Sequence, residues 1–292
     1  MSVTSDGGRS PWHAAVHTLA RDRSAIIGGV VLLVLASIGV LGESITPYGC
    51  GAQLGIIEFK NLPPSLAHPF GTDQFSRDVL SRLMCGTRVS LSIAFLSVAV
   101  AATVGTAFGA IAGYVGGLVD AAMMRVVDAL LAIPRVLVLI AIATLWNGVG
   151  AIGLVLILGL TGWFAVSRLV RTLVMGARED EFVTAALALG ASHPRILLHH
   201  ILPQVISPVL VAATLAIGNV IVIEAGLSSL GMGIQEPKAS WGSVFQNGVS
   251  SISSSWWVSV FAGSALVVTV LAANLVADGL RDALNTRQLP RR

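Results

Sequence analysis

The sequence predicts an all-α polytopic membrane protein with six transmembrane helices. Of its 292 residues, 54% are hydrophobic and only 11% are charged, and the mean hydropathy is +0.83. A typical soluble domain carries about 25% charged residues. Six apolar runs are long enough to cross about 30 Å of hydrocarbon. No stretch shows the alternating ten-residue pattern of a membrane barrel, so helices, which satisfy their own backbone polar groups, are expected.

The first element is a predicted span over residues 24–46, which follows a tail at 1–23. Its uncharged run Ala25–Gly42 exceeds the roughly 7–15 residues of a signal-peptide core, and no convincing cleavage site follows, so we expect it to be retained. A loop at 47–88 comes next. Cys50 and Cys85 lie in it; they either form a disulfide or remain two free thiols.

Five further spans form a predicted membrane core over residues 89–278. The third of the six spans is interrupted early by Asp128 and Pro134. The second contains Gly105, Gly109 and Gly113, whose spacing of four places them on one helix face. In lipid such a face favours close helix–helix packing; the alternative is a surface that lines a substrate path. The five spans are predicted at 89–113, 124–146, 150–170, 204–228 and 256–278.

The distribution of Lys and Arg predicts the orientation. With the N-terminus inside, 13 basic residues lie inside and five outside, which together account for all 18. Cytoplasmic loops carry the excess of basic residues, so we expect both termini, including the tail at 279–292, to be cytoplasmic. The predicted inside residues are Arg9, Arg21, Arg23, Arg125, Arg135, Arg168, Arg171, Arg178, Arg195, Arg281, Arg287, Arg291 and Arg292. The predicted outside residues are Lys60, Arg77, Arg82, Arg88 and Lys238.

The loop at 178–203, between the fourth and fifth spans, has an unusual composition for a cytoplasmic segment. Thr184–Leu189 is a run of good helix formers, and Gly190 is a plausible helix stop. Pro194 is suited to the first turn of a second short helix, and Pro203 precedes the fifth span. The loop is nevertheless rich in Ala and Leu. Such an apolar surface is expected to be covered by a partner; the alternative is a helix lying on lipid.

This loop resembles the EAA loop of importer-type ABC transporter permeases. The resemblance rests on the pair Ala185-Ala186, on Gly190 and on Ile201-Leu202-Pro203. There are two departures in the loop: Thr184 stands where the namesake Glu is expected, and Ile201 is one place from its usual position. We therefore name residues 178–203 the coupling loop.

Three further stretches resemble the C-type permease subunit of dipeptide and oligopeptide ABC importers, a group that includes nickel importers. They are His68–Arg82, where Ser76 replaces a usual Gly, Glu224–Gly242 and Asn274–Leu284. With the coupling loop they cover about two thirds of the chain in order. The sequence is thus identified as a member of that family.

The resemblance implies a type I ABC importer permease fold, also called MetI-like, in the cytoplasmic (inner) membrane of a prokaryote. It implies a heterodimer with a homologous B-type permease, one or two cytoplasmic ABC ATPase subunits, and an extracytoplasmic peptide-binding protein. ATP and Mg²⁺ belong to the ATPases, and no cofactor of this chain and no nucleic-acid partner is expected. The substrate is a dipeptide or oligopeptide, or alternatively nickel or another small solute. The residues expected to couple to the ATPase are Thr184, Ala185, Ala186, Gly190, Ala191, His193, Pro194, Arg195, Leu202 and Pro203.

Motifs for catalysis are missing from the sequence. A Walker A loop needs Gly-Lys, but the two lysines, Lys60 and Lys238, follow Phe59 and Pro237. There is no His-Glu-x-x-His. The sequence therefore predicts no catalytic residue. For the histidines of the coupling loop, His193, His199 and His200, a position at an interface or at lipid headgroups is favoured over a metal site.

Three carboxylates lie in or near the predicted spans, namely Asp128, Glu224 and Asp278. All three lie near span ends, where pairing with an arginine such as Arg125 or Arg281 is expected. A proton-coupled secondary transporter, the alternative from another class, would need carboxylates at the midplane and an internal repeat. Neither is evident. Glu224 remains the candidate for a gating or substrate-binding role.

Overall fold

The computed structural model describes residues 18–55, 57–146 and 149–285, and all regular secondary structure in these ranges is helical. The all-α prediction is therefore confirmed. Arg9, Arg287, Arg291 and Arg292, which entered the charge count, lie outside the described residues. The helices are α1 (Arg23–Ile45), α2 (Val79–Val115), α3 (Gly117–Leu131), α4 (Arg135–Leu145), α5 (Ala151–Arg178), α6 (Glu181–Ala188), α7 (His193–Ile196), α8 (Leu202–Ser229), α9 (Trp241–Ser250) and α10 (Ile252–Asn285).

Within the described residues, five continuous helical segments are long and apolar enough to cross a membrane: α1, α2, α5, α10 and the unit His193–Ser229 that ends in α8. The sixth predicted span, 124–146, is instead a broken pair. Helices α3 and α4 meet at an angle of 76°, with Pro134 at the break. Proline has no N–H to donate and disfavours helical geometry in the residue before it, which explains the bend. Six crossings result if the pair counts as one.

Helix α2 begins ten residues earlier than the predicted span at 89. The cause is Asp78, whose side chain accepts a 2.8 Å hydrogen bond from the Ser81 N–H and caps the helix. Asp78 also pairs with His68 at 2.9 Å. A capped first stretch, Val79–Arg88, which contains two arginines, thus precedes the uncharged part of α2.

The glycine face of α2 packs against α5 of the same chain. A Cβ atom added to Gly105 would lie 2.6 Å from the Val166 Cβ, and one added to Gly113 would lie 2.6 Å from the Arg171 carbonyl oxygen. Gly109 lies between them against the Ser167 carbonyl. Because the contacts are largely with backbone, a side chain at these positions would push the two helices apart.

Two loop segments, residues 46–78 and 230–240, cover one end of the bundle, and we call their described part the loop cap. Cys50 and Cys85 form a disulfide that ties this cap to α2. The Trp257 Nε1–H donates to the Thr72 carbonyl at 3.1 Å, and Trp241 donates to the Leu83 carbonyl at 3.2 Å. The coupling loop lies at the opposite end of α2.

Candidate functional site: the coupling loop and residues of the bundle interior

The backbone of the coupling loop follows the local signals of its sequence. Helix α6 ends in a Schellman-type turn, in which Gly190 has φ +82° and the Ala191 N–H bonds to the Ala186 carbonyl at 3.0 Å. Pro194 lies in the first turn of α7. Helix α7 does not stop at a bend but runs through a π-helical turn, Leu197–Ile201, into α8.

The π-helical turn lies next to a proline. The Leu202 N–H donates to the Leu197 carbonyl five residues back, which is the π-helical pattern. Pro203, the next residue, has no N–H to donate to the carbonyl four residues back. The second short helix expected from the sequence is therefore continuous with the fifth span, so that α7 and α8 share one backbone hydrogen-bond ladder.

The inner face of the coupling loop is an apolar core. Val183, Ile196 and Ile201 are buried against Val170 and Val174 of α5. Burial of one such side chain is worth about 1.5–3 kcal/mol. The loop is therefore packed firmly onto the end of the α2–α5 pair.

Two polar contacts fix the same junction. The Tyr114 hydroxyl lies 2.8 Å from the His193 Nδ1, and the Arg178 Nη1–H donates to the Tyr114 carbonyl at 2.9 Å. These three residues border a groove of about 620 Å³ that is otherwise lined by apolar side chains such as Leu187 and Leu197. Tyr114, the penultimate residue of α2, is thus joined to the coupling loop at Arg178 and at His193.

The outer face of the coupling loop is exposed and apolar. Leu189 is 88% exposed, and Phe182 and Leu187 are also exposed large hydrophobic residues. Among the residues predicted to couple, the exposed ones are Thr184, Ala185, Gly190, His193, Pro194, Arg195 and Pro203. Ala186, Ala191 and Leu202 are half-buried and pack on the inner core. The loop therefore presents one face to the bundle and another, exposed face away from it.

The carboxylates of the spans have different neighbours from those expected. Asp128 pairs with Arg168 of α5 rather than with Arg125, and Asp120 pairs with Arg171 of the same helix. Glu224 is only 1% exposed and has no arginine partner among the described residues. Its Oε1 accepts hydrogen bonds from Ser228 and from Ser240, each at 2.8 Å.

Glu224 therefore joins two elements. Ser240 is the N-cap of α9, and its side chain also accepts a bond from the Ser243 N–H. Glu224 lies five positions before the last residue of α8, next to the loop cap. This arrangement joins α8 to the cap through hydrogen bonds; a gating role for Glu224 stays a prediction.

A second charged cluster joins the loop cap to α2. Glu236 contacts Arg82 through both carboxylate oxygens, at 2.9 and 3.2 Å, and contacts Arg77 at 2.7 Å. Burial alone would raise the pKa of Glu236, but the hydrogen bonds and charges of Arg82 and Arg77 outweigh it and hold the pKa below its ordinary value. The three side chains form one ion-pair network.

Comparison with known proteins agrees with this geometry. Residues 105–289 match the family model of the binding-protein-dependent transport system inner membrane component, and residues 10–64 match the N-terminal TM domain of oligopeptide transport permease C.

Several curated relatives span nearly the whole chain. A dipeptide transport system permease protein, DppC, of Alkalihalophilus pseudofirmus is 36% identical over 95% of this chain and 90% of its own length. A putative peptide transport system permease protein of Brucella abortus is 38% identical over 97% and 94%. A glutathione transport system permease protein, GsiD, of Pectobacterium atrosepticum is 34% identical over 96% and 92%.

A solved structure of the inward-facing MetNI methionine ABC transporter shares the fold. The TM-score is 0.52 at 20% sequence identity, and the match covers 69% of this chain and 95% of that one. The MetI-like fold expected from the coupling loop and its companion stretches is thereby confirmed.

Proposed function

The chain belongs to the family of binding-protein-dependent transport system inner membrane components, and from this premise we propose that it is a permease subunit of an ATP-driven importer of peptides. The observation that carries the proposal is the coupling loop, which is packed on the bundle from within and exposes apolar side chains outward. The names of the relatives favour peptides over nickel or another small solute, because they refer to dipeptide, peptide and glutathione transport.

The partners follow from the proposed role. A homologous B-type permease forms the second half of a heterodimer, and one or two cytoplasmic ATPase subunits hold ATP and Mg²⁺. A peptide-binding protein delivers the substrate on the other side of the membrane. The proposed location is the cytoplasmic membrane of a prokaryote, with both termini of this chain inside.

The mechanism begins at the outer face of α6. ATP binding closes the ATPases and displaces this helix. Because Val183 and Ile196 are closely packed against α5, a displacement of the loop also displaces the end of α5. The glycine contact between α2 and α5 then makes both helices move as one body. Inverting a two-state equilibrium from 1:99 to 99:1 requires about 5.5 kcal/mol, so the joint has to be rigid.

Reconstituted transport tests the proposal. The complete complex is placed in proteoliposomes with ATP on the ATPase side, and uptake of radiolabelled dialanine is followed with and without an ionophore. We expect uptake that requires ATP and the ATPase chains and that survives collapse of the proton gradient. If the ionophore stops uptake while ATP stays high, the protein is a proton-coupled transporter and Glu224 is the first residue to examine.

A further inference from the structure

A cavity of about 350 Å³ lies between α2, α5 and α8, with Arg135 of α4 in its wall. Most of its lining is small and apolar, including Ala101 and Ala213; Ser97 and Asn219 add polar groups. Ser97 is the nineteenth of the 37 residues of α2, and Asn219 is the eighteenth of the 28 residues of α8. The cavity is therefore near the middle of the helices that cross the membrane.

Arg135 is held at this depth by two hydrogen bonds to α5. Its Nη2–H donates to the Leu158 carbonyl at 2.7 Å, and its Nε–H donates to the Thr161 hydroxyl at 3.2 Å. Both acceptors lie about 10 Å or more from either end of α5, at 1.5 Å per residue. The charge count assigned Arg135 to the cytoplasmic side, yet the bonds of its guanidinium place it well inside the bundle.

The backbone of α5 leaves room for this guanidinium. A Cβ atom at Gly162 would lie 3.2 Å from the Arg135 Nη2. Any larger residue would crowd the charged group. A glycine at this point thus belongs to the arrangement that keeps Arg135 at the cavity.

Arg135 differs from its charged neighbours in having no carboxylate partner in the described part of the chain. Arg168 and Arg171 of α5 each pair with an aspartate. A guanidinium has five N–H donors, and the two bonds to α5 engage two of them. A charged side chain inside a membrane bundle marks a functional path by default, because placing it there is costly.

A second group in the same wall lacks a partner. The Ser97 hydroxyl is fully buried and makes no hydrogen bond to the described residues. A guanidinium with free N–H donors and no carboxylate partner among the described residues, in the same cavity wall as a serine whose hydroxyl has no partner there, is suited to an anion with several acceptor oxygens. A carboxylate matches the planar fork of arginine through two parallel hydrogen bonds.

We propose that Arg135 is a substrate-positioning residue that binds the C-terminal carboxylate of a peptide during translocation, with Ser97 as a supporting donor. This inference rests on the proposed function. The C-terminal carboxylate is common to all linear peptides whatever their side chains. An anchor for that group beside small apolar walls would hold many sequences without selecting among them.

The first test measures the charge of the cavity without any transport. Ala102 also lines the cavity, and the two native cysteines are joined in a disulfide. In the Ala102→Cys variant of the complete complex, the reaction rates of an anionic and a cationic methanethiosulfonate are compared. We expect Arg135→Gln to lower the anionic-to-cationic rate ratio about tenfold, because one unit charge a few ångströms away is removed. Arg135→Lys, the matched control, keeps the charge and the ratio.

An unchanged ratio in Arg135→Gln would overturn the anion site whatever the protein transports. Wild-type-like elution of the variant complex on size exclusion shows that the fold is intact. Gly162→Ala supplies a milder variant with the charge retained, for which we expect a smaller drop in the ratio through displacement of the guanidinium.

The second test identifies the anion as the peptide carboxylate. Uptake of dialanine and of its C-terminal amide is measured with the same binding protein, so that selectivity of that protein cancels between variants. We expect Arg135→Gln to lower the ratio of acid to amide uptake at least tenfold and Arg135→Lys to lower it less. An unchanged ratio, with uptake intact, would overturn this subsite but not the proposed function. Failure of the wild-type complex to take up either peptide would instead overturn the proposed function.

Discussion

At the end that carries the loop cap, the chain is held by a disulfide, by ion pairs and by hydrogen bonds from buried tryptophans. At the other end, the coupling loop is held chiefly by apolar packing and by the two polar contacts of Tyr114 with His193 and Arg178. The loop cap connects segments that are far apart in sequence, such as Arg82 and Glu236. The coupling loop packs on residues that lie near it along the chain, chiefly those of α5.

The difference indicates how the two ends are used. Covalent and ionic links resist relative movement, so the cap holds the ends of α2, α8 and α9 in a fixed relation. The coupling loop packs on the α2–α5 pair and runs on into α8, so a displacement of the loop is passed to these three helices together. We therefore expect substitutions in the cap to reduce stability and substitutions on the outer face of α6 to reduce transport alone.

The largest loss of stability is expected from Gly109→Leu, which breaks the pair that joins both ends. The Cβ of residue 109 would clash with backbone atoms of α5. We expect a loss of at least about 3 kcal/mol, or failure to assemble, since overpacking against backbone cannot relax. The measurement is thermal stability in detergent by size exclusion. Gly176→Leu is the control, because nothing lies near its added Cβ. Normal stability with altered peptide preference would mark the glycine face as part of the pathway.

The second-largest loss of stability is expected from removal of the disulfide. The bridge closes a loop with a sequence separation of 35 residues, for which the chain-entropy model gives about 3–4 kcal/mol. We expect Cys50→Ser/Cys85→Ser to lower the midpoint of unfolding and a reductant to lower that of the wild type equally. Equal midpoints for oxidised wild type and double variant would show that the bridge does not hold the cap.

A smaller loss of stability, about 1–3 kcal/mol, is expected from Glu236→Gln. This carboxylate is half-exposed, so solvent partly screens its attraction to Arg77 and Arg82. The pKa of Glu236 is held below the ordinary 4.5 by Arg82 and Arg77 despite its burial. Because the pKa is lower in the folded state than in the unfolded chain, this carboxylate stabilises the fold at pH values above its unfolded-state pKa. That contribution is lost as the pH falls through the folded-state pKa. Wild-type stability should therefore decline below about pH 4.5, and the variant should lack this component of the decline. Identical pH profiles would exclude the pair as a support of the cap.

The local features of the coupling loop were predictable because each depends on one or two residues. Gly190 ends α6 because it adopts a positive φ, and Pro194 opens α7 because its missing N–H costs nothing in a first turn. The spans follow from apolar composition, and the glycine spacing of α2 points to close packing. The sequence also predicted a break near Pro134, but not its 76° angle, which depends on how α4 packs.

Long-range partners were not predictable from one sequence. Arg82 and Glu236 are 154 positions apart, and nothing local selects one from among many possible ion pairs. The positions of Cys50 and Cys85 left open both a bridge and two free thiols, and the structure shows the bridge. Arg135 looked like a cytoplasmic basic residue because a charge count ignores how far a side chain reaches into the bundle. Its hydrogen bonds to Leu158 and Thr161 reveal its depth.

The smallest change in stability, with the largest change in transport, is expected from Ala185→Arg. Ala185 is exposed on α6, so the substitution should change the free energy of unfolding by no more than about 0.5 kcal/mol. An arginine at this point cannot enter an apolar docking surface without leaving its charge unpaired. Ala67→Arg, an equally exposed position in the loop cap, is the matched control.

The most direct measurement is therefore co-purification of the ATPase chain with each variant, together with ATP-driven uptake by the same preparation. We expect Ala185→Arg to keep the wild-type melting profile while it releases the ATPase and loses uptake, and Ala67→Arg to retain the ATPase. Retention of the ATPase and wild-type uptake by Ala185→Arg would contradict the assignment of the outer face of α6 as the surface that receives the force.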